Sequence, residues 1–441
     1  MVEFVTSVEN LASQQKAPAW LSALRAEGAN QWQNTPWPTR KTERWKYTPL
    51  RSLTTQAFQW SSVDATSDLD ESLFEIPELD SHTLVFVNGA YSAELSDDAL
   101  PEVAVLFSQA NETQQSIIQK NLGKIVDVKK HQFASLNNAL VTEGVLLHVE
   151  KNIVFDKPIR VVNVSSGVET NVLAQLRLLV VLEDNAQAAV IEQFISTSDS
   201  NAVFSNTLTE FHLSSGAQLT HYRLNMENEN NLHTGGVHAN LFANATLNAY
   251  LLAQGCELNR VDYQVNHLGQ GAHLEMQGVY IPQNKQLVDY HTEIEHCVPN
   301  CTSNEVFRGI IADSAKAVFN GRIHIHPDAQ KTLAELSNKN LLLSNQAEVD
   351  TKPELEIYAD DVRCAHGATV SQINEKEMFY LQSRGVSRQE AQVMLSFGFI
   401  NEVLREFPSE EIQNYLRPKL ARVFGRDESL VSHLLHDDQD D

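Results

Sequence analysis

The 441 residues are 42% hydrophobic, enough for about two to four domains with cores of their own, which excludes a disordered tail or a mini-protein. Against 57 Asp+Glu stand 33 Lys+Arg, a formal charge of -24, so a phosphate backbone would meet a repulsive field and nucleic acid is not the expected partner. Only 18 glycines, about 4% against the roughly 7% of average usage, leave little material for a glycine-rich phosphate loop.

Met1 to Ala12 carry no basic-then-apolar signal segment, and no run approaches the ~18 apolar residues of a membrane span. Four cysteines, Cys256, Cys297, Cys301 and Cys364, cannot make a disulfide framework. A reduced, soluble, cytoplasmic protein is expected, with no membrane partner. All five tryptophans (Trp20, Trp32, Trp37, Trp45 and Trp60) fall in the first 60 residues, which marks a separate amino-terminal module. Ala17 to Glu27 reads as a helix broken at Pro36 and Pro38, followed by the aromatic-basic stretch Glu43 to Pro49. Seven acids and no base between Asp64 and Asp80 read as a solvated linker or face. Leu84 to Asn88 then reads as a strand, and Glu112 to Leu122 and Phe133 to Val141 as helices.

Near Gly144 the hydrophobic period changes from about 3.6 to 2. Val145 to Val149, Ile159 to Val164 and Gln175 to Leu182 open a long series of strands. Before fresh apolar runs a small or polar residue precedes an alanine, at Ala186, Ala217, Ala245, Ala272, Ala315, Ala329 and Ala347. Such recurrence suits stacked β coils turning corners over small residues, and its irregular spacing suits a two-sheet sandwich as well. After Ile373 the helical period returns. Ser387 and Glu390 form a capping box, Gly385 stops the helix before it, and Ala391, Met394, Leu395, Phe399, Val403 and Leu404 mark an apolar stripe. Pro408-Ser409 opens a last helix through Phe424, bent near Pro418, before a frayed acidic tail at 437–441. The expected organisation is a helical domain with a small β segment over 1–143, a β core over 144–373 and a helical domain over 374–441.

Cys364-Ala365-His366 places a thiol and an imidazole two apart, hence on one side of a strand. Both are ligands for zinc or an iron–sulfur centre, but two ligands do not close a site of about four, so a second chain or a substrate must complete it. A buried Cys beside a hydrogen-bonded His is the competing structural reading. Cys297 and Cys301, with His291, Glu293 and His296 upstream, read as free thiols around a Pro299-Asn300 turn. His324 and His326 read as a solvated face or an Asn/His ladder. No Gly-x-x-x-x-Gly-Lys-Ser/Thr, His-Glu-x-x-His or Gly-x-Ser-x-Gly sequence occurs, which argues against P-loop, zincin and nucleophile-elbow chemistry. Asp289, Glu293 and Glu295 could serve a carbohydrate-cleaving β-helix, but their spacing selects no acid/base pair.

From Ala317 to Gly321, and then from Glu348 to Val370 through Asp360-Asp361-Val362-Arg363-Cys364-Ala365-His366-Gly367-Ala368-Thr369, the sequence resembles the SufB/SufD family of iron–sulfur cluster assembly proteins. Phe379 to Gly385 extends the likeness, and Glu43 to Leu50, with Trp45-Lys46-Tyr47-Thr48, resembles the SufD branch. The resemblance implies a mainly β fold: a right-handed parallel β-helix flanked by amino- and carboxy-terminal helical domains. It implies a non-catalytic scaffold that pairs with SufB through the β-helices and docks the ATPase SufC through the carboxy-terminal helices, at Ser387 to Phe407 with Ser387, Glu390, Met394, Phe397 and Phe399. ATP hydrolysis would belong to SufC. It also implies that His366, beside Cys364, lies at the SufB–SufD interface and shares a nascent, transient iron–sulfur cluster with a SufB cysteine. No tightly bound cofactor of the chain's own is implied; flavin on the complex and a homodimer of the isolated chain are left open. A SufB-like paralogue that accepts sulfur, and a glycan-active β-helix enzyme, are the alternatives.

Overall fold

The computed structural model describes residues 17–60, 69–166, 171–197 and 202–424, together with Phe4 and Leu11. The acidic tail at 437–441 and residues 64–68 of the acidic stretch lie outside the described residues. Strand accounts for 42% of the chain and helix for 23%, arranged as a β-solenoid of about 7 turns with helices at both termini.

From Val145–Val149 onward successive strands alternate between two sheets, and each pairs with the strand two along in the chain. One sheet of nine strands ends at Glu348–Ile357; the other, of ten, ends at Arg363–Gln372. Beyond Val145–Val149 every ladder between coil strands is parallel, which a Greek-key sandwich cannot supply. At the first end the ladders close with antiparallel pairs: Ala90–Ser92 on His82–Val87, and Ala104–Leu106 on Val145–Val149. His82–Val87 itself runs parallel to Ile159–Ser165, so residues before Gly144 supply a coil strand.

The recurring alanines sit at the corners. Ala186, Ala217, Ala245, Ala272, Ala315 and Ala329 are fully buried, leaving no room for a larger side chain in the stacked turns. The residue before the alanine has φ of 59° at Asn185, 71° at Gly216, 56° at Asn244 and 75° at Gly271, a conformation that Asn and Gly tolerate best. The alanine amide closes the turn on the residue three back, as in Ala217 N to Ser214 O at 3.0 Å. The amide before it reaches the next coil, as in Asn185 N to Ser215 O at 2.9 Å.

Helix Gln132–Leu140 packs on the nine-stranded sheet, and helix Ser22–Asn34 packs on Gln132–Leu140. Trp32, Trp45, Leu53, Phe58 and Phe133 form one buried cluster with Leu173, Phe204, Leu232, Leu258 and Leu287, which stand side by side on successive strands. The tryptophan-rich segment is therefore joined to the solenoid by a shared core. The acidic stretch also differs from a solvated face: Phe74 and Ile76 are buried, and Arg160 donates to Phe74 O at 2.8 Å. The acids project from a chain whose apolar residues are pinned to the sheet.

At the other terminus, Glu375–Ser383, Arg388–Leu404 and Glu410–Phe424 are helical, the last running on past Pro418. The capping box forms: Glu390 N donates to Ser387 Oγ at 3.2 Å, and Ser387 N donates to Glu390 Oε2 at 2.9 Å. The buried face of that helix is Ala391, Val393, Phe397, Ile400, Val403 and Leu404, rotated from the expected stripe so that Met394, Leu395 and Phe399 lie at its margin. It packs with Phe407, Tyr415 and Leu416 against Ile191, Tyr222, Tyr250 and Leu252 of the ten-stranded sheet. Among the described residues no helix is long and apolar enough to cross a membrane.

Candidate functional site

The far end of the solenoid is built differently from the near end. Arg363–Gln372 and Glu348–Ile357 are the outermost strands of their sheets, and among the described residues no strand pairs with their outer edges. Each edge presents a row of backbone N–H and C=O groups, a template for a further strand. Ile357, Tyr358 and Val370 are exposed here, Tyr358 by 62%. Cys364 pairs in register with Ala334 and His366 with Leu336. The cysteine is half-buried against the solenoid core, while the imidazole is exposed. Burial pushes the Cys364 thiol above its ordinary range. Beside them, a Cβ at Gly367 would meet nothing within 4 Å, so the surface there is open.

Of the helical residues expected to meet a partner, Phe397 is buried, and Phe399 is half-buried against the core shared with the solenoid. Ser387 and Glu390 are engaged with each other at the helix start. Met394 stays partly accessible. The open apolar side chains lie one helix earlier, at Phe379 (72% exposed) and Tyr380 (55%), both within the stretch that carried the family resemblance.

The Cys297–Cys301 group does not converge. His296 is buried, stacked on His267 at 4.4 Å, and its Nε2 lies 2.9 Å from Ser303 Oγ. Cys301 is buried with Sγ 3.4 Å from Gly269 O, and burial raises the Cys297 thiol to about 11. His291 faces Asp289 at 3.0 Å, and Glu293 pairs with Arg44. Asp289 is further held by Arg260 at 2.9 Å and by Thr48. The three carboxylates suggested for glycan chemistry are thus committed to separate partners. His324 and His326, expected as a solvated face or ladder, converge instead on Glu295, at 2.7 and 2.8 Å.

The sequence reading missed a polar cluster inside the solenoid. Glu192 accepts from Arg223 at 3.1 Å and Thr209 at 2.8 Å and faces His221 at 2.9 Å; His221 also meets Tyr263 Oη at 3.0 Å. Burial works against the charge on Glu192, but Arg223, His221 and Thr209 outweigh it and hold the carboxyl at about 2. His233 joins through Arg223, whose Nη2 lies 2.8 Å from His233 Nε2, and meets Glu227 at 2.9 Å on its other nitrogen. Charged residues amid buried strands were the available signal, but which of them share a coil depends on register. Further along, Glu305 is fully buried with neither oxygen hydrogen-bonded among the described residues, and burial pushes it up to about 7.

Together these features define a class: a two-sheet parallel solenoid with helices on its sheets, closed by antiparallel strands at one end and open at the other beside a Cys and a His. Residues 164–399 match the family described as SUF system FeS cluster assembly, SufBD core domain, and residues 4–161 match the SufBD protein N-terminal region. The chain belongs to the SufB/SufD family of iron–sulfur cluster assembly proteins. It is 32% identical over 394 residues to the iron–sulfur cluster assembly protein SufD of Escherichia coli (strain K12), covering 88% of this chain and 89% of that relative. The corresponding SufD of Bacillus subtilis (strain 168) is 26% identical over 431 residues, 94% and 96% of the two chains. An iron–sulfur cluster assembly SufBD family protein of Synechocystis is 31% identical over 393 residues, 86% of each.

Proposed function

We propose that this chain is the SufD-type, non-catalytic scaffold subunit of a complex with SufB and the ATPase SufC, on which nascent iron–sulfur clusters assemble. The observation that carries the reading is the uncovered edge of Arg363–Gln372 with Cys364 and His366 side by side on it. A strand or solenoid edge of a partner would satisfy the open backbone groups, and the same docking would bring foreign ligands to His366. One imidazole and one thiol supply at most half of a four-ligand shell, so SufB would provide the remainder. Without SufB, a second copy offers a matching edge, and a homodimer is the expected state of the isolated chain.

SufC would dock on the carboxy-terminal helices. The exposed Phe379 and Tyr380 and the accessible side of Arg388–Leu404 around Met394 suit that role, whereas Phe397 is buried. Co-expression of the three chains tests the proposal. A stable complex carrying iron and sulfide, with ATP hydrolysis abolished by substitutions in SufC alone, is the expected result. Three folded subunits that fail to associate would overturn it.

A further inference from the structure

We propose that Glu295, His324 and His326 form a binding site for one first-row divalent transition-metal ion, distinct from the edge that bears His366. His324 and His326 stand two apart in extended backbone and therefore project to one side. Glu295, on the neighbouring strand Leu287–His296, is the direct register partner of His324. His324 Nδ1 and His326 Nε2 lie 2.7 and 2.8 Å from the same carboxylate oxygen, Oε2. The three ligand atoms fall within 4.8 Å of one another, a span that one ion with bonds of about 2.0–2.2 Å can gather with small side-chain rotations.

Two imidazoles and one carboxylate are the donor set of open zinc and iron(II) sites, with the remaining positions left to water or an incoming group. Hard oxygen-only cations such as magnesium or calcium would be poorly matched to it. The surroundings favour a cation. Arg322 donates to the other oxygen, Oε1, at 2.7 Å, which fixes the carboxylate and leaves Oε2 free to face the histidines. Arg322 also pairs with Glu356 through bonds of 2.8 and 2.9 Å. Counting Glu295 and Glu356 against Arg322, the group keeps one excess negative charge when both imidazoles are neutral. Tyr358 packs edge-on against His324 at 5.4 Å, and the His324 and His326 rings lie 4.2 Å apart, so the histidine orientations are restricted before any ion arrives. The side chains of Glu295, His324 and His326 are 11%, 18% and 37% exposed, shielded yet reachable from solvent.

Equilibrium dialysis of the purified full chain against Zn2+, and separately against Co2+, tests the site. One equivalent per chain should bind, with d–d absorption bands from Co2+. Glu295→Gln should weaken binding at least roughly tenfold, and His324→Gln with His326→Gln should remove it, while Cys364→Ala with His366→Ala leaves that equivalent in place. The histidine pair is partly exposed, and an unchanged melting curve would show those variants folded. Absence of a bound equivalent, its survival in the folded double histidine variant, or its loss in the Cys364/His366 variant would each overturn the assignment.

Discussion

The guanidinium carbon of Arg260 lies 3.9 Å from the centre of the Trp45 ring. Arg260 also donates to Asp262 at 3.0 Å, to Asp289 at 2.9 Å and to the backbone carbonyl of Arg44, whose own side chain pairs with Asp262 and Glu293. The Glu43 to Leu50 stretch is therefore a clasp: a cation over an aromatic face, ringed by solenoid carboxylates. Desolvated cation–π contacts are worth about 2 kcal/mol. A double-mutant cycle with Trp45→Leu and Arg260→Lys, followed by urea unfolding, should give a coupling energy of about 1–2 kcal/mol. Strict additivity would show the contact to be incidental.

Arg177 and Glu210 form a fully buried ion pair at 2.5 Å, and Glu210 also accepts the backbone amides of Gly123, Ile125 and Val126. Removing the carboxylate strands a buried cation and three amides. Glu210→Ala should cost about 3–5 kcal/mol in urea unfolding, with faster amide exchange at 123–126. A loss within the scatter of surface substitutions would refute the role.

Glu305 gives a pH dependence with a definite sign. Its folded-state value, about 7, lies above the ordinary 4.5, so the native state holds the extra proton between them. Its contribution to stability is complete below about pH 4.5, declines as pH rises and is gone above pH 7. At 1.36 kcal/mol for each pH unit, the difference amounts to about 3 kcal/mol. Glu305→Gln should thus gain on the parent protein in melting experiments at pH 8 and not at pH 4.5. A gain of equal size at both pH values would show that the carboxyl is not held neutral by its surroundings.

The two phenylalanines of the carboxy-terminal helices should behave differently. Phe379→Glu should leave the melting temperature nearly unchanged and reduce co-purification of SufC. Phe397→Ala, at a buried position, should cost about 3–5 kcal/mol. Stability loss at Phe379 with normal SufC binding would reverse the assignment.

These contrasts follow what could be seen along the chain. Ala186, Ala217 and Ala245 were visible as corners because a turn's chemistry is local: a left-handed residue and a small one in succession. Ser387 and Glu390 were visible for the same reason. The inward rotation of Ile400 with Val403 was not, since every face of that helix carries apolar residues and only the facing sheet, with Tyr222 and Tyr250, selects one. His366 and Cys364 were legible from their motif. The meeting of Glu295 with His324 and His326 was not, because a residue 29 positions earlier becomes a neighbour only through strand register, which turn lengths set. The buried Phe74 and Ile76 were hidden by the acids around them.

The central claim concerns His366, and the most direct measurement is iron and acid-labile sulfide on the complex isolated after co-expression with SufB and SufC. His366→Ala should leave the three subunits assembled and reduce cluster content roughly tenfold or more, seen also as loss of visible absorbance. An assembled complex with undiminished iron and sulfide would contradict the account and leave His366 a structural residue of the solenoid edge.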